Sequence, residues 1–164
     1  MQKNRFHHAR PRSGETVIVS PADGKVVPLR DVEDEVFSTG ILGKGVAVLP
    51  ESGEIYAPVD GVVATVAETK HAITITADGG AQILIHCGID TVSLRGEGFD
   101  LFVSEEERVT PGKLLLKFDP ARIREAGYAL TTPIVVVNDS DFTLSISERT
   151  EVRRGEPLIR LLKK

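Results

Sequence analysis

The sequence predicts an all-β domain of the sandwich or barrel kind, on three observations. β-Branched runs recur along the chain, Gly, Pro and Asp fall between them at short intervals, and helical patterning is confined to two short stretches. At 164 residues the chain is long enough for one domain with a proper core and short for two. Apolar residues make up 41% and charged residues 27%, the mixture of a soluble globular protein, which excludes both a disordered chain and a membrane-spanning class.

Strands are expected, in order, at T-V-I-V (16–19), G-V-A-V-L (45–49), G-V-V-A-T-V (61–66), A-I-T-I-T (72–76), P-I-V-V-V (133–137) and F-T-L-S-I (142–146). An internal echo, S-P-A-D-G-K-V-V (20–27) and A-P-V-D-G-V-V-A (57–64), places the same Pro and Asp-Gly turn ahead of a β-branched strand, which suggests two strand pairs built alike. V-T-P-G-K-L-L (109–115) is a weaker third turn. The two short helices are expected at A-R-I-R-E-A-G after Pro120, ending at Gly127, and at V-S-E-E-E-R (103–108). Residues 14–164 form the single domain, and residues 1–13, with His7 and His8, are expected to be a mobile tail without a role.

Several function classes are set aside by composition. No apolar run approaches the ~20 residues that a spanning helix needs, and no apolar stretch follows the positive charges of M-Q-K-N-R-F-H-H-A-R-P-R, so neither a membrane span nor a secretory signal is expected. The lone Cys87 has no internal disulfide partner and fits a reducing compartment, so the expected location is cytoplasmic. A net charge of −4 gives no general attraction to nucleic acid or anionic lipid, whereas a basic protein surface would be drawn to it.

The chemistry concentrates in H-A-I-T-I-T-A-D-G-G-A-Q-I-L-I-H-C-G-I-D (71–90). Two strand-like runs flank A-D-G-G, and Asp-Gly is a strong two-residue hairpin signal. With Asp78 and Gly79 as the turn, residue 77 faces 80, 73 faces 84, and His71 faces His86, with Thr69, Gly88 and Asp90 continuing the same parity. Adjacent neutral imidazoles can bind a metal, exchange protons or hold a phosphoryl group. Because zinc wants at least three protein ligands and the neighbouring positions are Ile73, Leu84, Thr69 and Gly88, no metal site is expected. General acid/base work would want a carboxylate close by, and Asp90 is the candidate; nucleophilic attack by histidine itself needs no such partner. The same pair is equally well read as a cross-strand polar contact that stabilises the hairpin, and from position alone both readings stay open.

The run L-I-H-C-G-I-D-T-V-S-L-R-G-E-G-F (84–99) resembles the phosphorylation-site signature of the glucose-type enzyme IIA component (EIIA type 1) of the bacterial phosphoenolpyruvate:sugar phosphotransferase system. The resemblance extends in order through I-V-S-P-A-D-G-K-V-V-P-L, D-V-E-D-E-V-F with G-K-G-V-A-V (31–48), A-P-V-D-G-V-V (57–63), E-T-K-H-A-I (68–73), V-T-P-G-K-L-L-L-K-F-D (109–119) and L-T-T-P-I-V-V-V-N (130–138), covering roughly residues 17 to 162.

The resemblance implies an antiparallel, barrel-like β-sandwich and a phosphotransferase without a cofactor, working through a phosphohistidine. The phosphoryl group would arrive from the carrier HPr and leave for a cysteine on the IIB domain of a membrane sugar permease, with regulatory proteins as further partners. His86 matches the family's phosphorylated histidine, reacting through Nε2; His71 matches the second histidine, which steadies the phosphoryl group; Thr69 matches the threonine bonded to that histidine. For Nε2 to keep its lone pair the proton must sit on Nδ1, and the Gly88 carbonyl is the expected acceptor. Val36, Phe37, Ile41, Leu42, Ile73 and Leu84 match the apolar rim that meets HPr and IIB, while Asp34 and Asp90 match carboxylates facing partner arginines.

Departures from the family pattern are Cys87 in place of a common phenylalanine, a small Ala67, and Lys70 in place of a common asparagine. Cys87 is expected as buried filler, and the first residues lack the amphipathic pattern of a membrane anchor. The competing readings are a regulatory protein that kept the fold without transferring phosphate, a zinc peptidase of the duplicated-hybrid-motif type, and a biotin- or lipoyl-carrier-like module. The peptidase would need an H-x-H element that the chain lacks, and the carrier would need a lysine where the hairpin tip has Asp78-Gly79.

Overall fold

The computed structural model describes residues 14–164; the segment 1–13, with His7 and His8, lies outside the described residues. Among the described residues, fourteen strands and two short α-helices follow one another as β1 (Glu15–Val19), β2 (Gly24–Pro28), α1 (Glu35–Ser38), β3 (Lys44–Pro50), β4 (Glu54–Tyr56), β5 (Gly61–Val66), β6 (Ala72–Ala77), β7 (Gln82–His86), β8 (Phe99–Leu101), β9 (Arg108–Val109), β10 (Leu114–Phe118), α2 (Pro120–Glu125), β11 (Thr132–Val136), β12 (Phe142–Ile146), β13 (Glu151–Val152) and β14 (Pro157–Lys163). Every strand pairing is antiparallel, and the fold is the expected all-β sandwich.

The eight-stranded sheet runs β13-β2-β3-β11-β7-β6-β5-β9, and two three-stranded sheets run β1-β14-β12 and β4-β10-β8. Exchanging β1, β2, β3, β11, β12, β13 and β14 for β4, β5, β6, β7, β8, β9 and β10 reverses the large sheet onto itself and turns one small sheet into the other. The sequence echo is the trace of this pseudo-symmetry, because its copies lead into β2 and β5. Each echo glycine has the same steric reason: a Cβ on Gly24 would stand 2.1 Å from the Leu49 carbonyl oxygen, and one on Gly61 would stand 2.3 Å from that of Thr76. The halves meet where β11 pairs with β7, Ile134 opposite Ile85.

Alternation along the central strands sorts side chains onto two faces. Val46, Val48, Ile73, Ile75, Ile83, Ile85, Ile134 and Val136 enter the main core, which draws residues from all three sheets. Ala47 and Val135 point the other way and join Val32, Phe37 and Ile89 in a second cluster, against which Leu42 and Leu84 pack. That second cluster exists because the β2–β3 connection carries α1, a single turn capped by the Asp34 carboxylate accepting from the Val36 N–H at 2.8 Å.

Two expectations need correction. V-S-E-E-E-R forms no helix: Val103 is buried, Glu106 has φ 73°, and the Glu106 N–H donates to the Val63 carbonyl, so the segment is a tight turn leading into β9. The 71–90 hairpin also turns differently. Gly80 takes φ 95° and the Ala77 N–H donates to the Ala81 carbonyl, which makes a three-residue loop and places Ala72, not His71, opposite His86. The expected helix after Pro120 is present as α2, capped by Asp119.

The echo glycines yield a stability prediction. Alanine at either Gly24 or Gly61 meets immovable backbone, and each single variant should lose ~2 kcal/mol or more, seen as a lowered urea midpoint at unchanged m value.

Candidate functional site

A one-residue change of register should send the two histidines to opposite faces of the sheet. His86 closes β7 on the outer face, in alternation with Leu84, while His71 shares the parity of the core-facing Ile73. The rings nevertheless touch, with centroids 4.7 Å apart and planes at 84°. His71 escapes strand parity because it belongs to the β5–β6 connection, residues 67–71, and not to β6 itself. There the Lys70 N–H donates to the Ala67 carbonyl and Lys70 takes φ 65°, so the chain reverses just before His71. The juxtaposition expected from the sequence is present; the strand register given for it was wrong.

The His86 ring is held from three sides. Its Nδ1 lies 2.8 Å from the Gly88 carbonyl oxygen, which can only accept, so Nδ1 carries the proton. Phe37 meets it edge-on with centroids 5.1 Å apart, and His71 closes the third side. In the neutral ring this leaves the lone pair on Nε2. Nδ1 of His71 is 2.7 Å from the Thr69 hydroxyl oxygen, as expected of that pair. Gly88 has φ 81°, and a Cβ there would stand 2.5 Å from Cγ2 of Thr91 and 2.9 Å from the Ala129 carbonyl oxygen, so only glycine fits the acceptor position.

Electrostatics keep both rings neutral. His71 is 7% exposed, and its pKa is pushed down to about 4, first by desolvation and then by its neighbour His86. His86 is also lowered by desolvation, against the opposing pull of the Gly88 carbonyl and of Asp34 and Asp90. Cys87 has no exposure and its thiol is pushed up to about 12 by burial, which suits filler and not a nucleophile.

The residues expected at an apolar rim divide into two groups. Val36 and Ile41 are exposed, at 47% and 78%, and Leu42 and Leu84 are half-buried. Ile73 is 1% exposed because the corrected register turns it into the core, and Phe37 is 3% exposed because it roofs the second cluster beside His86. Neither side chain offers a surface. The sequence reading missed Val92, 51% exposed just after Asp90, although it lies within the same signature run. Beside Asp90 a cavity of about 260 Å³ opens, with Asp31, Glu33 and Tyr128 in its lining.

Among the described residues, no helix is long and apolar enough to cross a membrane. The arrangement is a neutral imidazole with a fixed tautomer and a free Nε2 lone pair, a second neutral imidazole against it, and acidic and apolar surface around both. Residues 16–142 match the family described as phosphoenolpyruvate-dependent sugar phosphotransferase system, EIIA 1. The chain is 43% identical over 157 residues to the PTS system glucose-specific EIIA component of Oceanobacillus iheyensis, covering 95% of each. It is 46% identical over 146 residues to the PTS system beta-glucoside-specific EIIBCA component of Bacillus subtilis, covering 88% of this chain and 24% of that longer protein. Its fold superposes with TM-score 0.85 on glucose permease IIA from Mycoplasma capricolum, at 37% identity over 89% of this chain and 95% of that one. By sequence and by fold, the chain belongs to the EIIA 1 family of the phosphoenolpyruvate-dependent sugar phosphotransferase system.

Proposed function

We propose that this protein relays a phosphoryl group, accepting it on Nε2 of His86 from phospho-HPr and delivering it to a cysteine of the IIB domain of a sugar permease. The observation that carries this reading is the 2.8 Å contact of His86 Nδ1 with the Gly88 carbonyl, which leaves the Nε2 lone pair available. In acceptance, that lone pair forms the new N–P bond while the donor's N–P bond breaks and its electron pair returns to the donor imidazole. No proton moves on His86, since Nδ1–H stays on Gly88. In delivery, a thiolate sulfur attacks phosphorus and Nε2 leaves as neutral imidazole. The transition state is loose, so the protein's task is positioning and charge stabilisation.

His71 is suited to that task. In the tautomer in which the Thr69 hydroxyl donates to Nδ1, its Nε2–H is a donor to a phosphoryl oxygen. Being neutral before the reaction, it does not repel an incoming donor; beside a phosphoryl dianion its pKa rises and it can take up a proton. The rim of Val36, Ile41 and Val92 gives partners apolar area, and Asp34 and Asp90 select partners with cationic groups.

Incubation with phosphoenolpyruvate, enzyme I and HPr should give wild type an acid-labile, base-stable phosphate, which His86→Gln loses entirely. His71→Gln should accept phosphate and fail to deliver it. No label on wild type removes the relay, equal label on His86→Gln misplaces the site, and normal sugar phosphorylation with His71→Gln refutes the division of roles.

Acidification supplies a separate measurement. Below pH 6.5 the unfolded chain binds a proton at residue 71 while the native ring resists it down to about pH 4, so this group's stabilisation is present above 6.5 and lost as pH falls through that window. The loss should total ~3 kcal/mol at most, and His71→Gln should flatten the fall in urea midpoint by that amount. On phosphorylation, the titration of His71 followed by NMR should move upward.

A further inference from the structure

The backbone of Cys87 follows His86 directly and is anchored through both its N–H and its carbonyl. Its N–H donates to the His71 carbonyl at 2.7 Å, and its carbonyl accepts from the Thr91 hydroxyl at 2.5 Å. Thr91 is completely buried. Between the two anchors the backbone takes φ 81° at Gly88 and φ 63° at Asp90, and this double reversal carries the Gly88 carbonyl back over His86. A left-handed aspartate is sparsely populated backbone, and such a turn persists only when its surroundings over-determine it. Two contacts do so here. The Ile89 N–H donates to the Ala129 carbonyl at 3.0 Å, and Thr91 sets its methyl group where a Cβ on residue 88 would stand 2.5 Å from it, while its hydroxyl holds Cys87.

We infer that Thr91 is a positioning residue for the proposed phosphoryl transfer: its hydroxyl, bonded to the Cys87 carbonyl, holds the 87–91 turn so that the Gly88 carbonyl keeps the His86 proton on Nδ1. Thr91 touches no reacting atom. Its effect runs through the turn to the tautomer, because an imidazole that loses its Nδ1 acceptor reverts toward the form protonated on Nε2, whose lone pair is on Nδ1 and not on the nitrogen that would meet phosphorus. Valine at this position has the same shape and no hydroxyl, so it would leave the buried Cys87 carbonyl without its donor.

The inference rests on the relay reading, and the test separates the two. Nitrogen NMR of the unphosphorylated protein with ¹⁵N-labelled histidine reports the His86 tautomer without any donor; the rate of labelling by phospho-HPr reports transfer. Thr91→Val should populate the Nε2–H form of His86 and slow acceptance about tenfold or more, as expected for a displaced positioning group, with a smaller change in KM. Thr91→Ser should restore both. Gly88→Ala, which crowds the same turn with the hydroxyl intact, should shift the tautomer in the same direction even where the valine variant folds poorly. A wild-type tautomer and rate in Thr91→Val overturns the inference, and so does a Thr91→Ser variant as impaired as valine, which would assign the effect to the methyl group. Failure of wild type to label would remove the relay and leave the tautomer spectra to decide the role of Thr91.

Discussion

The hydrogen bond from His86 Nδ1 to the Gly88 carbonyl determines which ring nitrogen can react, and much of the surrounding structure serves to keep it. A histidine free to exchange tautomers presents a lone pair at either nitrogen. Here the acceptor is a backbone carbonyl, which cannot rotate away as a side chain can, and its residue must be glycine because a Cβ would strike Thr91 and Ala129. Phe37 and His71 then fix the ring plane. The second cluster, built from the β2–β3 connection, is what puts Phe37 there, so a small apolar roof outside the main core acts directly on the His86 ring.

Desolvation and nearby carboxylates act in opposite directions on these rings. Burial lowers both pKa values, strongly at His71, and keeps the rings neutral, whereas Asp34 and Asp90 pull His86 the other way. On the proposed relay, two carboxylates near His86 would repel the phosphoryl group it carries. Their placement makes physical sense if cationic groups of the partners neutralise them during transfer, which couples chemistry to docking.

The pseudo-symmetric topology explains where the site lies. His86 is one residue beyond Ile85, at the seam where β7 and β11 join the two halves. The β2–β3 and β5–β6 connections occupy corresponding places in the halves; the first brings Phe37 and the second brings His71 to the same ring. A duplicated scaffold thus supplies two dissimilar loops to one position. The helix α1 belongs to one half alone, and the corresponding connection around Lys70 is short.

Periodicity and turn chemistry made much of this legible in the sequence: the long β-branched strands, the helix after Pro120 and the echo of two strand pairs built alike; the meeting of the two histidines was expected on a register that the structure does not have. The strands β4, β8, β9 and β13 were not legible, because two or three residues carry no period. Nor was β14, whose P-L-I-R-L-L-K pattern is broken by Arg160, an arginine paired with Glu15 of β1. Local sequence also could not choose the hairpin register, since A-D-G-G offers two glycines for one left-handed position. Gly79 packs against Thr16 of β1, where a Cβ would lie 2.6 Å from the hydroxyl oxygen, and Gly80 takes the positive φ. The amino-acid sequence alone therefore determined the class of fold and the family, and it singled out the two histidines as candidates. Only tertiary packing decided which face each side chain took, because a strand's alternation specifies two faces without saying which one meets the core.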